Sequence, residues 1–440
     1  MEVHQEMGQH IGMTRRLSFG LSRELWLVQI GIFLNMFGYG AVLPFEVIYL
    51  HDGRGFSLNI AGLVVGTITG VAVVTAPLAG SLIDRFGARV TTIAAGVALA
   101  AGYAGLAFAR IPVHAFAAAV LAGAGNGTLN PSQSTLIAAL ASSEVRHRAT
   151  AVSRVATNAG IGIGGALGGL VAASGLTGFV VLFLGNALTY LVYVSVLVII
   201  VRDGARPKPI KGGYRQVFRD RAFIHLACTN VAIIAVGWGV FTWLVPPYAE
   251  QEIGISARLI GLLLLANAAT VALAQVPIAK FAEGRRRVVL MALASAMFAG
   301  ACLLVLAAGI NPDTAYVALV LASIVVGVGE CFHTTVLMPL AAELAPTGLR
   351  GRYMASMGFA WWIGLTIAPV LGAQLLSLSP PVAFLAAAAV ALAAAASALT
   401  LERMLPDASR LTPRPRGADE AGQERLQRSL ISTPKRSHLP

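Results

Sequence analysis

Polar positions along this chain gather into short clusters, and between the clusters run stretches of twenty or more mainly apolar residues. A helix needs about 20 such residues to cross a hydrocarbon core about 30 Å thick, since each adds about 1.5 Å. That ruler predicts twelve spanning helices. Six lie near Leu25–Leu50, Ile60–Leu82, Val90–Ala109, Val113–Ala141, Thr150–Ala173 and Gly178–Val201. Six more lie near Phe223–Tyr248, Leu259–Ala279, Val288–Ile310, Ala315–Ala341, Tyr353–Leu376 and Pro381–Leu401. The expected fold is an all-α membrane protein of twelve transmembrane helices.

Composition supports the pattern. Of 440 residues, 57% are hydrophobic and 12% charged, with a mean hydropathy of +0.75; soluble domains hold about 45–50% apolar and about 25% charged residues. Of the 32 Lys and Arg, 29 fall in clusters on the side of both termini, and only Arg54, Arg110 and Arg258 on the other. Cytoplasmic loops carry such an excess, so both termini are expected inside a plasma (inner) membrane crossed many times. The net charge of +12 then needs no nucleic acid, because a basic inner face sits against anionic lipid headgroups. The first apolar run is too long for a signal-peptide core and has no small-residue cleavage site behind it, so helix 1 is expected to be retained. Cys228, Cys302 and Cys331 fall inside expected helices and read as packing residues rather than a disulfide or metal set. No cofactor or metal is expected.

The chain repeats itself. Gly55, Ser57, Gly62 and Leu63 return as Gly254, Ser256, Gly261 and Leu262, an offset of 199. Gly123, Gly125, Arg146, Arg148, Gly160 and Gly168 return as Gly327, Gly329, Arg350, Arg352, Gly364 and Gly372, an offset of 204. Two pseudo-symmetric six-helix bundles follow, over residues 25–201 and 223–403, joined by a basic linker at 202–222 that carries Pro and Gly. Residues 1–24 form a cytoplasmic arm. Residues 404–440, with several Pro, mixed charge and no apolar periodicity, are expected to be a disordered cytoplasmic tail.

Helix 2 ends in "GSLIDRFGAR" and helix 8 in "AKFAEGRRR". Gly87 and Gly284 suit the tight turns expected there, and Arg85, Arg89 and Arg285–Arg287 hold those turns on the basic side. Asp84 exceeds what topology needs; it is placed to cap a neighbouring helix or to pair with an Arg, Arg154 being one candidate. Gly80, Leu82, Asp84, Arg85 and Gly87, with Arg89 one place late, resemble the signature G-x-L-x-D-R-x-G-R of the major facilitator superfamily. The resemblance covers Leu25 to Leu401. It implies that this loop braces the halves in the outward-facing state, the Asp meeting the start of helix 11. Gly160, Gly164, Gly168 and Gly169 are similar to the superfamily's antiporter motif on helix 5, but Gly165 stands where the family has Pro, and Ala119 replaces an Arg common in its exporters. Pro369 keeps the Pro at the equivalent place on helix 11. The stretch from Gly329 to Tyr353 is similar to drug:proton antiporter-like branches. The plain alternative for the glycines is close helix packing.

Ionisable groups at membrane depth cost about 2.5–3.5 kcal/mol or more, so each asks for a reason. Glu330 falls near the middle of helix 10 with His333 at i+3, expected on the same face. A carboxyl there that takes up and releases a proton is what a proton-coupled carrier requires; the alternative is a neutral Glu satisfied by a neighbouring helix. The repeat sets Asn126 opposite Glu330. Asn35, Asn126, Asn130, Gln133 and Asn158 are candidates for lining a central cavity or for interhelical bonds, and Trp238 for an aromatic cavity wall or an interfacial belt. Glu46, after Pro44, is a third proton-coupling candidate or an interfacial residue reaching headgroup water.

The expected function is secondary active transport of a small organic solute by alternating access, most directly proton-coupled efflux. Its alternatives are proton-coupled import of a polar metabolite, and a non-transporting receptor or scaffold on the same fold. No phosphate loop, HExxH or nucleophile elbow occurs, which speaks against an enzyme or an ATP-driven pump. The expected partners are the solute, protons and membrane lipids, with the protein a monomer.

Overall fold

The computed structural model describes residues 21–141, 146–201, 214–346 and 349–412. Long helices dominate them. In the N-terminal half these are α1 (Arg23–Gly53), α2 (Leu58–Phe86), α3 (Ala88–Ala107), α4 (Pro112–Leu140), α5 (Arg146–Ala172) and α6 (Leu176–Ile199). The C-terminal half has α7 (Arg221–Gln251), α8 (Ala257–Ala282), α9 (Arg287–Ala308), α10 (Pro312–Leu344), α11 (Gly351–Leu378) and α12 (Pro380–Leu401). A short helix, Arg215–Arg219, leads into α7.

Eleven helices among the described residues are long and apolar enough to cross a membrane. The remaining one, α4, has 29 residues but carries Asn126, Thr128, Asn130, Ser132 and Gln133 in its second half, which lowers its hydropathy. It lies between α2 and α3, where Gly123 meets the Ile68 carbonyl and Gly125 the Leu99 side chain.

Helix starts follow local chemistry. Ser22, Ser57 and Asp220 accept from the N–H groups of Leu25, Ile60 and Phe223, satisfying donors that a helix start leaves open. Pro112, Pro312 and Pro380 stand at first positions, where a missing N–H costs nothing. Gly87 and Gly284 take φ of +88° and +70°, the left-handed region the two short turns require. Among the described residues, three helices are interrupted. Before its end, α1 tightens into a 3₁₀ turn at Leu43–Phe45 around Pro44 and then widens into a π-turn at Tyr49–Gly53. Further π-turns occur at Ala235–Gly239 in α7 and Ala368–Gly372 in α11; such turns are frequent at functional sites.

Between halves, α2 packs on α11 and α5 on α8. Contact is confined to one end. Along α2, Gly62 and Gly66 lie against Pro369, Val370 and Ala373, whereas Val74, Leu78, Leu82 and Phe86 further on are exposed. Along α5, Gly162, Gly165 and Gly169 meet Ala268, Leu264 and Ala257–Arg258, whereas Arg154, Val155 and Asn158 are exposed. Asp52 accepts from Gln251, and Ser377 donates to Asn59 at 2.8 Å, across the same closed end. The halves therefore part toward the end that carries the Gly87 and Gly284 turns.

The beginning of the tail departs from expectation. Residues 405–412, expected to be disordered, fold back on the α8–α9 turn. Arg287 N–H donates to the Arg410 carbonyl, Gly284 N–H to that of Thr412 and Thr412 N–H to that of Arg285, with Arg286 and Leu411 bridged in antiparallel fashion. Leu405, Ser409 and Thr412 are buried. Short segments that pair edge to edge leave no apolar period to read. Beneath this strap, buried Arg287 forms a 2.6 Å ion pair with Glu343 of α10.

Candidate functional site

The two titratable candidates of α10 part company. Glu330 Oε1 accepts from Asn267 Nδ2 of α8 at 3.3 Å, and a polar seam continues beside it. Gln275 Nε2 donates to Thr335 Oγ1 at 3.2 Å, and Thr334 donates to Gln275 Oε1 at 3.3 Å. His333, fully buried, instead turns to α7. Its Nε2 lies 2.9 Å from Asn230 Oδ1, and its ring sits 5.5 Å from that of Trp238. The expected shared face is thus divided: residues three apart diverge by about 60° around a helix, enough here for each to meet a different neighbour.

Trp238 stands on the α7 π-turn and meets Trp361 of α11 at 4.9 Å and Phe298 of α9 at 6.1 Å. Glu330, Asn267, Trp238 and Trp361 are all partly buried. Glu330 and Asn267 meet on the α8 side of α10, and the two indoles gather with His333 on its α7 side.

Glu46 does not reach headgroup water. It is 3% exposed, accepting from Tyr103 Oη of α3 at 3.2 Å and from Trp243 Nε1 of α7 at 3.1 Å. The second bond crosses between the halves at the closed end. Asn126 faces the Tyr103 hydroxyl.

The other polar candidates sort by exposure. Asn130 and Asn158 are exposed toward the open end. Asn35 is fully buried inside the N-terminal half, and no side-chain partner is found for it among the described residues. Gln133 is buried too, donating to Tyr193 Oη at 2.9 Å. Neither lines a space between the halves, because a helix period does not tell bundle interior from cavity wall. Among the glycines, Gly160, Gly164 and Gly168 lie against the α1 backbone at Phe33, Phe37 and Ala41, while Gly169 meets α8; the stripe joins three helices by close packing.

At the end of α2, Gly80 has open space around it and Arg85 lies over the Phe86 ring. Arg89 donates to the Leu197 and Val198 carbonyls at 2.9 and 2.8 Å, capping α6. The Asp84 side chain lies outside the described residues. Asn267, Tyr103, Trp243 and Asn230 escaped sequence reasoning as partners of the acids and of His333. Each is unremarkable alone, and only the packing of α7, α8 and α3 brings it into place.

Comparison with known proteins gives this architecture a context. The family model described as Major Facilitator Superfamily matches residues 28–245 and 227–437. The chain is 27% identical over 362 residues to the "Uncharacterized MFS-type transporter YttB" of Bacillus subtilis (strain 168), covering 81% of this chain and 89% of that one. It is 26% identical to the "Multidrug resistance protein MdtH" of Aeromonas salmonicida (strain A449), covering 79% and 85%. Among solved structures, a POT family transporter in complex with 5-aminolevulinic acid superposes with a TM-score of 0.73 at 13% identity, over 87% of this chain and 97% of that one. A D-xylose-proton symporter gives 0.70 at 16%, over 88% and 98%.

Proposed function

Because this chain belongs to the major facilitator superfamily, it is a membrane transporter, and we propose that it exports a small amphipathic or apolar organic solute in exchange for protons. In this reading α4 spans the membrane with the other eleven, both termini are cytoplasmic, and the open end of the structure faces the cytoplasm. Rocking of the halves about the closed end then alternates access to a midplane site. The proposed direction draws on the relatives named as multidrug resistance proteins, and the proposed solute class on the pair of Trp238 and Trp361 beside His333, which suits apolar solutes better than sugars.

The observation that carries the reading is Glu330. It occupies the middle of a 33-residue apolar helix, and its repeat mate, Asn126, has no titratable group. Bonded to Asn267, its carboxyl takes up and releases the proton, and in this reading solute loading displaces that proton. Glu330→Gln keeps the shape of the protonated acid and releases no proton. In proteoliposomes the variant should lose uphill accumulation of fluorescent lipophilic dyes driven by a pH gradient, while dye-for-dye exchange and abundance stay at wild-type levels. A Glu330→Gln protein that still concentrates dye would remove the proposed coupling site.

A further inference from the structure

Inside the N-terminal half, away from the space between halves, lies a column of buried polar groups that the Glu330 site does not use. Antiparallel packing of α1 on α6 sets its register: Gly31 meets Tyr193, and Gly38 meets Asn186 and Thr189. Asn35, midway between, therefore faces α6 near Tyr190. Both atoms of the Asn35 amide and both of the Asn186 amide are buried with no partner found among the described residues. Above them Tyr103 stacks on Tyr190 with ring centroids 6.1 Å apart and donates to Glu46. Below them Tyr193 accepts from Gln133, one turn from the exposed Asn130.

The other half supplies the contrast. At offsets of 199 and 204, Asn35, Tyr103, Gln133 and Tyr190 are answered by Ile234, Cys302, Leu337 and Ala394, all buried. The repeat thus packs with apolar residues at these positions, and the fold by itself does not call for polar ones.

Buried amide atoms are ordinarily bonded to protein or to ordered water. We propose that the N-terminal half encloses a file of bound waters, seated on Asn35, Asn186 and Tyr190, that carries protons between Glu46 and, past buried Gln133, the exposed end at Asn130. Each water takes one proton from a neighbour and passes another on. Glu46 gains or loses one proton at its carboxyl, and no other bond in the protein changes. The proton-carrying role rests on the proton-coupled reading above; the presence of the water does not.

Two measurements separate these parts. Radiolytic hydroxyl-radical labelling of the full-length protein in nanodiscs modifies side chains beside bound water. Tyr103 and Tyr190 should be modified, while Phe298 and Phe384, buried in the C-terminal half, stay unmodified. Unmodified Tyr190 in the wild-type protein overturns the water file whatever the transport assays show. Asn35→Leu, nearly isosteric and unable to hold water, should abolish labelling of Tyr190 and dye-linked proton movement reported by trapped pyranine, with dye-for-dye exchange kept. Asn35→Ser, which keeps a hydroxyl and leaves room, should restore both. Wild-type proton movement in a folded Asn35→Leu protein overturns the route. Dye transport without proton movement in the wild type instead overturns the coupling reading and, with it, the proton-carrying role.

Discussion

The two halves keep the same backbone and fill it differently. Gly38, Tyr49 and Gly55 return 199 residues later as Gly237, Tyr248 and Gly254, and Gly125 returns after 204 as Gly329. Gly125 packs against Leu99 and the Ala95 carbonyl, as Gly329 packs against Phe298 and the Ala294 carbonyl. Positions set by close approach, as at Gly125, or by positive φ, as at Gly55, have thus been preserved. Buried side chains with chemistry have not: Glu46 is answered by Val245 and Glu330 by Asn126. Setting one half against the other removes the residues that the fold requires and leaves those that it does not.

The heads of α3 and α9 give the largest test of that contrast. In the N-terminal half Arg89 caps carbonyls at the end of α6; in the C-terminal half Arg287 is 1% exposed and bonded to Glu343, itself 36% exposed. Glu343→Ala leaves a buried guanidinium without its counter-ion, a change that costs about 3–5 kcal/mol. Arg287→Met leaves the acid able to reach water and should cost less. Arg89→Met, which removes bonds to carbonyls at a helix end, should cost about 1 kcal/mol. Thermal unfolding in detergent checks this order. Equal losses in Glu343→Ala and Arg89→Met would erase the distinction between the halves.

A smaller effect is expected where the halves touch. The bond from Trp243 to Glu46 has one partner in each half, and a bond to a charged group contributes about 1.5–3 kcal/mol. If it holds the closed end, Glu46→Leu and Trp243→Phe should each lengthen the mean distance between spin labels at Arg110 and Asp313. In the double variant the effects should fall short of their sum, because both remove the same bond. Additive lengthening would show that the two residues act separately.

The smallest concerns the strap, for which the N-terminal half has no counterpart among the described residues. Thr412 donates its hydroxyl to the Ala282 carbonyl. Thr412→Val should lower stability by about 1 kcal/mol and speed amide exchange at Gly284 and Arg287 while leaving Gly87 unchanged. Equal exchange at all three would mean that the strap adds nothing.

Much of this was legible beforehand. Apolar runs located the helices because the bilayer imposes a length, and Gly87 and Gly284 marked the turns because few other residues tolerate their φ. Glu330 was legible as an acid in a long apolar run. Its neighbours were not, since spacing along α10 fixes the angle between Glu330 and His333 but not the rotation of α10 toward α7 or α8. The same limit hid the burial of Asn35 and the reach of Glu46 to Trp243. The break in α1 around Pro44 was not read either, nor was the turn of the chain beyond it toward the other half.

The strap also orders events in time. Residues 284–287 leave the ribosome more than a hundred residues before their partners at 410–412, and α9 to α12 lie between them. Until then the α8–α9 turn has unpaired backbone groups, and the ion pair of Arg287 with Glu343, once α10 supplies the acid, has no cover. Pairing with Arg410 and Thr412 closes a loop that contains four helices, so it forms only after all four have been inserted. The strap is accordingly among the last contacts of the C-terminal half to form during biogenesis.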